Sequence, residues 1–415
     1  MNKNKRKVPE MRFPGFTDDW EQRKLGDVVG KTFGGGTPAT TNEEFWEGDI
    51  PWIQSSNVIE GELFYRDVKK HISRDGLTHS AAQLIPKNSV AVVTHVGVGK
   101  LVFMPYSFAT SQDFISLSDL KCNPKFLCYA LYKKLKEDLY IVQGSAIKGM
   151  TKEDLMSKQL FLPSVDEQRE IADTLLNLDH LITLHQRKLD NLKELKKGCL
   201  QKMFPKKGEK VPEMRFPGFT DDWEQRELSS LFARFDDGDW IEAKDQSSLG
   251  IRLVQTGNVG VTEFIDKADN KKWISEETFN RLNCEEIFPG DILISRLPKP
   301  AGRACIVPET GTRMITAVDC TIARTSSENS AAFIVQCLST PEYFKWVNTC
   351  LAGGTRQRIS RSMLGTYDVM VPPTIGEQEQ IGAYFQSLDN LITLHQRKLD
   401  NLKEFKKGCL QKMFI

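Results

Sequence analysis

No run of apolar residues in this 415-residue chain approaches the ~18 needed to span a bilayer. The basic opening MNKNKRK leads into Pro and Glu rather than an apolar stretch, which argues against a secretory signal. An excess of one charge is also missing: 56 Lys+Arg face 55 Asp+Glu, a formal net of +1. Free-standing nucleic-acid binders usually carry a basic surplus, so a chain this balanced would leave much of any phosphate grip to partners. The nine cysteines form no CxxC pair and no Cys/His metal spacing. They are expected to be reduced, mostly buried thiols of a cytoplasmic protein, with no metal site. Nucleotide loops are absent as well. The glycines at 34–36 and 97–99 fit neither GxGxxG nor GxxxxGK[ST]. No Asn-Pro-Pro-aromatic segment occurs, and VPPT at 371 lacks the Asn. FDDGDWIEAK (Phe235–Lys244) has an acidic look, but it stands once and reads as chance charge clustering.

What is present is repetition. VPEMRFPGFTDDWEQR runs from Val8 to Arg23 and again, unchanged, from Val211 to Arg226. The segment Leu178–Phe204 recurs as Leu388–Phe414, differing only at His180/Asn390 and Leu195/Phe405. The order is opening segment, variable stretch, long segment, then all three again. The two chain ends look like the central join LQKMFPKKGEKVPEMRF cut open, which implies pseudo-twofold, nearly circular connectivity.

The long segments carry a heptad stripe. In the first copy it falls at Ile171, Leu175, Leu178, Ile182, His185, Leu189 and Leu192. In the second it falls at Ile381, Phe385, Leu388, Ile392, His395, Leu399 and Leu402. Steps alternating four and three predict two rods of roughly 45–50 Å, ended or frayed at Gly198, that pack on each other antiparallel. The intervening stretches alternate β-type runs with turns (SVAVVTHVGVG, KLVFMP; GDILISRL, ACIVPE), with helices expected at Pro124–Leu135 and Ser330–Ser339. The expected fold is α+β: two mixed α/β domains and a pair of long antiparallel coiled-coil helices. The boundaries are 1–163 for the first domain, 164–205 for the first helix, 206–373 for the second domain and 374–415 for the second helix.

With the opening RFPGFTDDW, the strand-turn IPWIQSSNV, the loops running into LPSVDEQREI and PPTIGEQEQI, and the doubled helices, the chain resembles the specificity (S) subunit of type I restriction-modification enzymes over essentially its whole length. The resemblance implies a non-catalytic subunit of a DNA-methylating and DNA-cleaving complex. Each recognition domain would read one half of a bipartite double-stranded DNA target, and the helices would set the gap between the halves. The implied partners are two methyltransferase (M) subunits and two motor-nuclease (R) subunits. S-adenosylmethionine, ATP and Mg would be used by those partners, and no cofactor by this chain.

Candidate DNA contacts follow from residue chemistry. Arg pairs bidentately with guanine, Gln or Asn with adenine, and loops enter grooves. In the first module these are Gln54, Ser56, Asn57, Thr94, Lys100, Gln112, Lys148 and Lys152, with the segments Phe33–Trp46, Thr94–Lys100 and Gly144–Met150 around them. In the second they are Gln255, Asn258, Arg296, Lys299, Arg303, Arg356, Gln357, Arg358 and Arg361. The alternative for each is a solvated charge or a connecting turn. His185 and His395 sit at equivalent central seam positions; they either meet and help to fix register or are unrelated and partly exposed. Trp20 and Trp223 are aromatic anchors or partner contacts, and Asp18/Glu21 and Asp221/Glu224 fit helix-start capping pairs.

Overall fold

The computed structural model describes residues 7–64, 68–141, 149–354 and 357–415. It divides into two compact units, Met1–Leu184 with Lys398–Ile415, and His185–Arg397. Each long helix therefore gives one half of itself to each unit.

The two units share a topology although their sequences have diverged. In the first, Val29–Phe33, Phe114–Leu120, Ser89–Val93 and Leu101–Met104 form an antiparallel four-stranded sheet in that spatial order. In the second, Phe232–Asp237, Cys320–Thr325, Ile292–Ser295 and Ala304–Ile306 do the same. Beside each lies a smaller sheet with one parallel pair, Ile50–Ile53 with Ala109–Thr110 and Ile251–Val254 with Met314–Thr316. The apolar runs SVAVV and ILIS are buried at every position, because both faces of these central strands are covered. A helix packs into each unit's core, Pro124–Ile141 in the first and Ala331–Cys337 in the second.

The long helices span Val165–Lys202 and Ile375–Lys412, 38 residues each, or about 57 Å. Gly198 does not end the first helix, nor Gly408 the second. Cys199 and Met203 beyond Gly198 are buried in the second unit's core, and Cys409 and Met413 in the first's, so packing carries the helix past the weak residue. Within each unit the helix halves run antiparallel. Ile171, Leu175 and Leu178 meet Cys409 and Met413 in the first, and Leu192, Cys199 and Met203 meet Ile381, Phe385 and Leu388 in the second. Of the seam residues, Leu189 and Leu399 are also buried, whereas Ile182, His185, Ile392, His395 and Leu402 are half-buried. The imidazoles of His185 and His395 meet, Nδ1 to Nδ1 at 2.9 Å.

The repeated opening segment docks identically twice. Met11 N–H donates to Lys412 O and Met214 N–H to Lys202 O, both at 2.8 Å. Trp20 and Trp223 are buried anchors, Trp20 against Phe126 and Phe414, Trp223 against Phe333 and Phe204. The residues after each Trp are strand, not helix: Glu21–Lys24 pairs with Gln159–Leu162, and Glu224–Glu227 with Asp368–Val371. The expected helix-start capping pairs at Asp18/Glu21 and Asp221/Glu224 are thereby corrected, since ladder pairing with a partner distant in sequence overrides a local cap pattern.

The Glu-Gln step that opens each long helix explains the motif shared by VDEQ and IGEQ. Arg12 donates to both oxygens of buried Glu167 at 2.7 and 2.8 Å, and Arg215 to both of Glu377 at the same distances. Gln168 and Gln378 bond the backbone of Pro163 and Pro372 and accept from Asn123 N–H and Ser330 N–H. A cross-helix ion pair then repeats in each unit: Lys406 on Asp179 and Lys196 on Asp389, both at 2.5 Å.

Candidate nucleic-acid interface

In each smaller sheet one strand of the parallel pair, Ile50–Ile53 or Ile251–Val254, leads into a one-turn 3-10 helix, Ser55–Asn57 or Thr256–Asn258. In both, the amide oxygen of the Asn accepts from the backbone N–H of the Gln that starts the turn, at 3.0 Å for Gln54 and 2.9 Å for Gln255. The Asn builds the turn, and the Gln and its neighbour are presented outward: Ser56 and Gln255 are exposed and Gln54 is half-exposed.

In the first unit four loop segments are bonded into one patch. The hairpin between Ser89–Val93 and Leu101–Met104 turns at Thr94–Lys100, with Gly97 and Gly99 both at φ +88°. The positive φ at Gly99 is the conformation that the turn needs glycine for. Thr94 Oγ1 donates to Asp113 O at 3.1 Å, and Thr94 O accepts from Met150 N–H at 2.8 Å. Ser55 and Ser111 both donate to the Asp113 carboxylate, at 3.4 and 3.2 Å. Segments 54–57, 94–99, 111–113 and 149–152 thus form one surface. Ser56, His95, Gln112 and Lys152 are exposed on it, Gln112 accepting from Thr37 Oγ1 at 2.9 Å. Lys100 is half-buried and lines a cleft of about 320 Å³ with Glu60, His95 and Lys136. Lys148, with most of its loop, lies outside the described residues.

The second unit repeats the plan with different chemistry. Its hairpin joins Ser295 to Arg303, and Arg296 O accepts from Ile359 N–H at 3.2 Å, as Thr94 O accepts from Met150. Arg303 donates to four backbone carbonyls, those of Thr256, Val259, Leu297 and Pro300, at 2.5–2.8 Å. Desolvation by burial lowers its pKa, the mark of a guanidinium sunk into the scaffold. Arg296 is 6% exposed, donates to Val318 O at 2.5 Å and pairs with Asp237 at 3.5 Å. Arg361, half-exposed, is held by Asp236 at 2.8 Å and Phe235 O at 3.1 Å. The acidic cluster in FDDGDWIEAK therefore serves as counter-charge for these two arginines. Gln255, Lys299, Gln357 and Arg358 remain exposed, and Arg356 lies outside the described residues.

Five sequence candidates have their polar groups engaged within the protein. Asn57 and Asn258 spend their carbonyls on the turn, and Asn258, only 6% exposed, also gives its amide to Ile265 O at 2.9 Å. Thr94 is 1% exposed. Arg296 and Arg303 face inward. Tight loops leave backbone carbonyls without partners, and a side chain rich in donors satisfies them. His95 was missed. It lay inside the singled-out hairpin, but exposure is a tertiary property that residue type does not carry.

Three comparisons with known proteins bear on this arrangement. The family model for the type I restriction modification DNA specificity domain matches twice, at residues 17–194 and 220–404. The chain belongs to this family. It is a specificity subunit of a type I restriction-modification system. It is 22% identical to the type I restriction enzyme MjaVIII specificity subunit of Methanocaldococcus jannaschii, over 97% of this chain and 93% of that one. It is 26% identical to the EcoR124I/EcoR124II specificity subunit of Escherichia coli, over 39% of this chain and 41% of that one. Among solved structures, the S subunit from M. genitalium aligns with TM-score 0.64 at 14% identity, covering 98% of this chain and 99% of that chain. That likeness concerns the fold, which is the doubled recognition domain with two long helices. In this specificity subunit no helix among the described residues is long and apolar enough to cross a membrane.

Proposed function

We propose that the subunit confers DNA-sequence specificity on a complex whose other members carry the chemistry, each unit reading one half of a bipartite target through its bonded loop patch. One observation carries the reading. Two patches are built by equivalent strands and hydrogen bonds, yet they present different side chains: Ser56, His95, Gln112 and Lys152 on one, Gln255, Lys299, Gln357 and Arg358 on the other. A common scaffold with variable readers is what two unlike half-sites require.

The frame around the patches is nearly invariant, which suits a partner bound twice. Each long helix exposes the same apolar residues in its own copy, Leu181 and Leu184 on the first, Leu391 and Leu394 on the second. Two methyltransferase subunits are the proposed occupants, with two motor-nuclease subunits joining the complex. S-adenosylmethionine, ATP and Mg are then handled by those partners, and the helices space the two half-sites. The near-zero net charge fits a subunit whose partners supply much of the phosphate grip.

The test is the adenine methylome of the source strain with and without the gene. A split motif with a fixed gap that vanishes on deletion supports the reading. If no motif depends on the gene while the chain co-purifies with an active methyltransferase subunit, the reading is wrong.

A further inference from the structure

Of the seven tryptophans, six are buried or half-buried and Trp240 alone is exposed, at 69%. A large apolar ring held in water on a loop gains more from a partner surface than almost any other side chain. Its place in the sheet says which surface. Asp239 N–H donates to Thr316 O and Asp239 O accepts from Val318 N–H, both at 2.8 Å. Trp240 therefore leaves the sheet beside residues 317–319, the segment whose carbonyls receive Arg296. Three and four residues earlier, Asp237 and Asp236 hold Arg296 and Arg361. The position belongs to the rim of the second patch.

The first unit supports this placement. There Gly36 N–H donates to Thr110 O as Asp239 N–H does to Thr316 O, so Thr37 is the counterpart of Trp240. Thr37 Oγ1 bonds Gln112, an exposed side chain of the first patch. The same position is thus part of the patch in both units, polar in one and apolar in the other. Trp240 is also prearranged. Its indole N–H donates to Glu242 at 3.3 Å, and the Asp239 carboxylate before it accepts from Glu285 N–H at 3.1 Å. The polar edge of the ring is satisfied and its faces stay open.

We propose that Trp240 is the apolar contact by which the second unit reads its half-site, its indole packing in the major groove on thymine methyl groups. In that groove the C5-methyl is the one apolar feature of a base edge. The inference rests on the function proposed above.

The experiment uses the full chain assembled with its methyltransferase subunits and a duplex carrying the methylated motif. Trp240→Ala is expected to weaken binding of the specific duplex roughly tenfold, with Trp240→Phe retaining most of it. Replacing the second half-site's thymines by uracil, which removes only the methyl, should weaken the wild type by a similar factor and leave Trp240→Ala unaffected. The same replacement in the first half-site should act equally on both proteins. Acrylamide should quench Trp240 in the free complex and less with the specific duplex bound.

Wild-type affinity and an unchanged motif in Trp240→Ala would overturn the proposal, as would a second half-site without thymine. Failure of Trp240→Ala to hold the methyltransferase subunits would place the ring in a protein interface instead, and also overturn it. If the wild-type complex binds no sequence preferentially, the parent reading falls, and this one with it.

Discussion

At the scale of single residues, the two patches separate side chains that build loops from side chains that face outward. Arg303 and Lys299 sit four positions apart on one hairpin, and their substitutions should have opposite signatures. Arg303→Ala removes the donor shared by four carbonyls, of which those of Thr256, Val259 and Leu297 are part-buried, and should lower the thermal midpoint, because a buried group left unsatisfied costs about 1–3 kcal/mol. Lys299→Ala should leave the midpoint unchanged. If Lys299 meets a phosphate, it should reduce the salt dependence of DNA binding by about one unit of slope. Asp239 offers a pH test. Burial pushes its carboxyl up to about 6, only partly offset by Arg234. A carboxyl raised on folding binds its proton more tightly in the native state, so its contribution to stability is present below the ordinary carboxylate range. It is lost as pH rises through about 6. Asp239→Asn should therefore gain in urea midpoint over the wild type between pH 4 and 7. A constant difference across that range would refute the assignment.

At the scale of elements, the Arg–Glu clamp and the histidine contact make distinct demands. Arg215→Met leaves the buried Glu377 carboxylate without its counter-charge and should cost about 3–5 kcal/mol, measured by denaturant unfolding. The histidine pair is half-buried and its Nδ1–Nδ1 hydrogen bond is worth less. His185→Leu or His395→Leu alone should cost about 1 kcal/mol. The double variant should cost less than the sum of the two, because no orphaned ring nitrogen is left; strict additivity in this cycle would mean the contact carries no energy. The helix beyond Gly198 belongs to this scale too. Propensity disfavours it, and the burial of Cys199 and Met203 decides the matter.

At the scale of the whole molecule, the duplicated frame predicts modularity. Replacing residues 228–367, which leaves Arg215, Trp223 and the strand pair Glu224–Glu227 with Asp368–Val371 in place, with the corresponding stretch of another family member should change one half of the methylated motif and leave the other half and its assembly intact. A change in both halves would mean that the units do not read independently. The frame tolerates such replacement because its anchors, Arg215 on Glu377 and Trp223 on Phe204, recur as Arg12 on Glu167 and Trp20 on Phe414.

The repeats, the seam and the α+β alternation are one-dimensional patterns, and the sequence alone determined the doubled plan and the paired helices from them. The meeting of His185 with His395 was open on spacing, because a slip of one residue would have parted them; the packed seam decided it. Only the tertiary structure decided which donors face outward. Arg303 and Lys299 are both cations in a Gly- and Pro-rich hairpin, and nothing local distinguishes them. The difference is that carbonyls from residues 256 and 259, more than forty positions away, converge on Arg303. Residue type states what a side chain can bond; the fold states what is left unbonded around it.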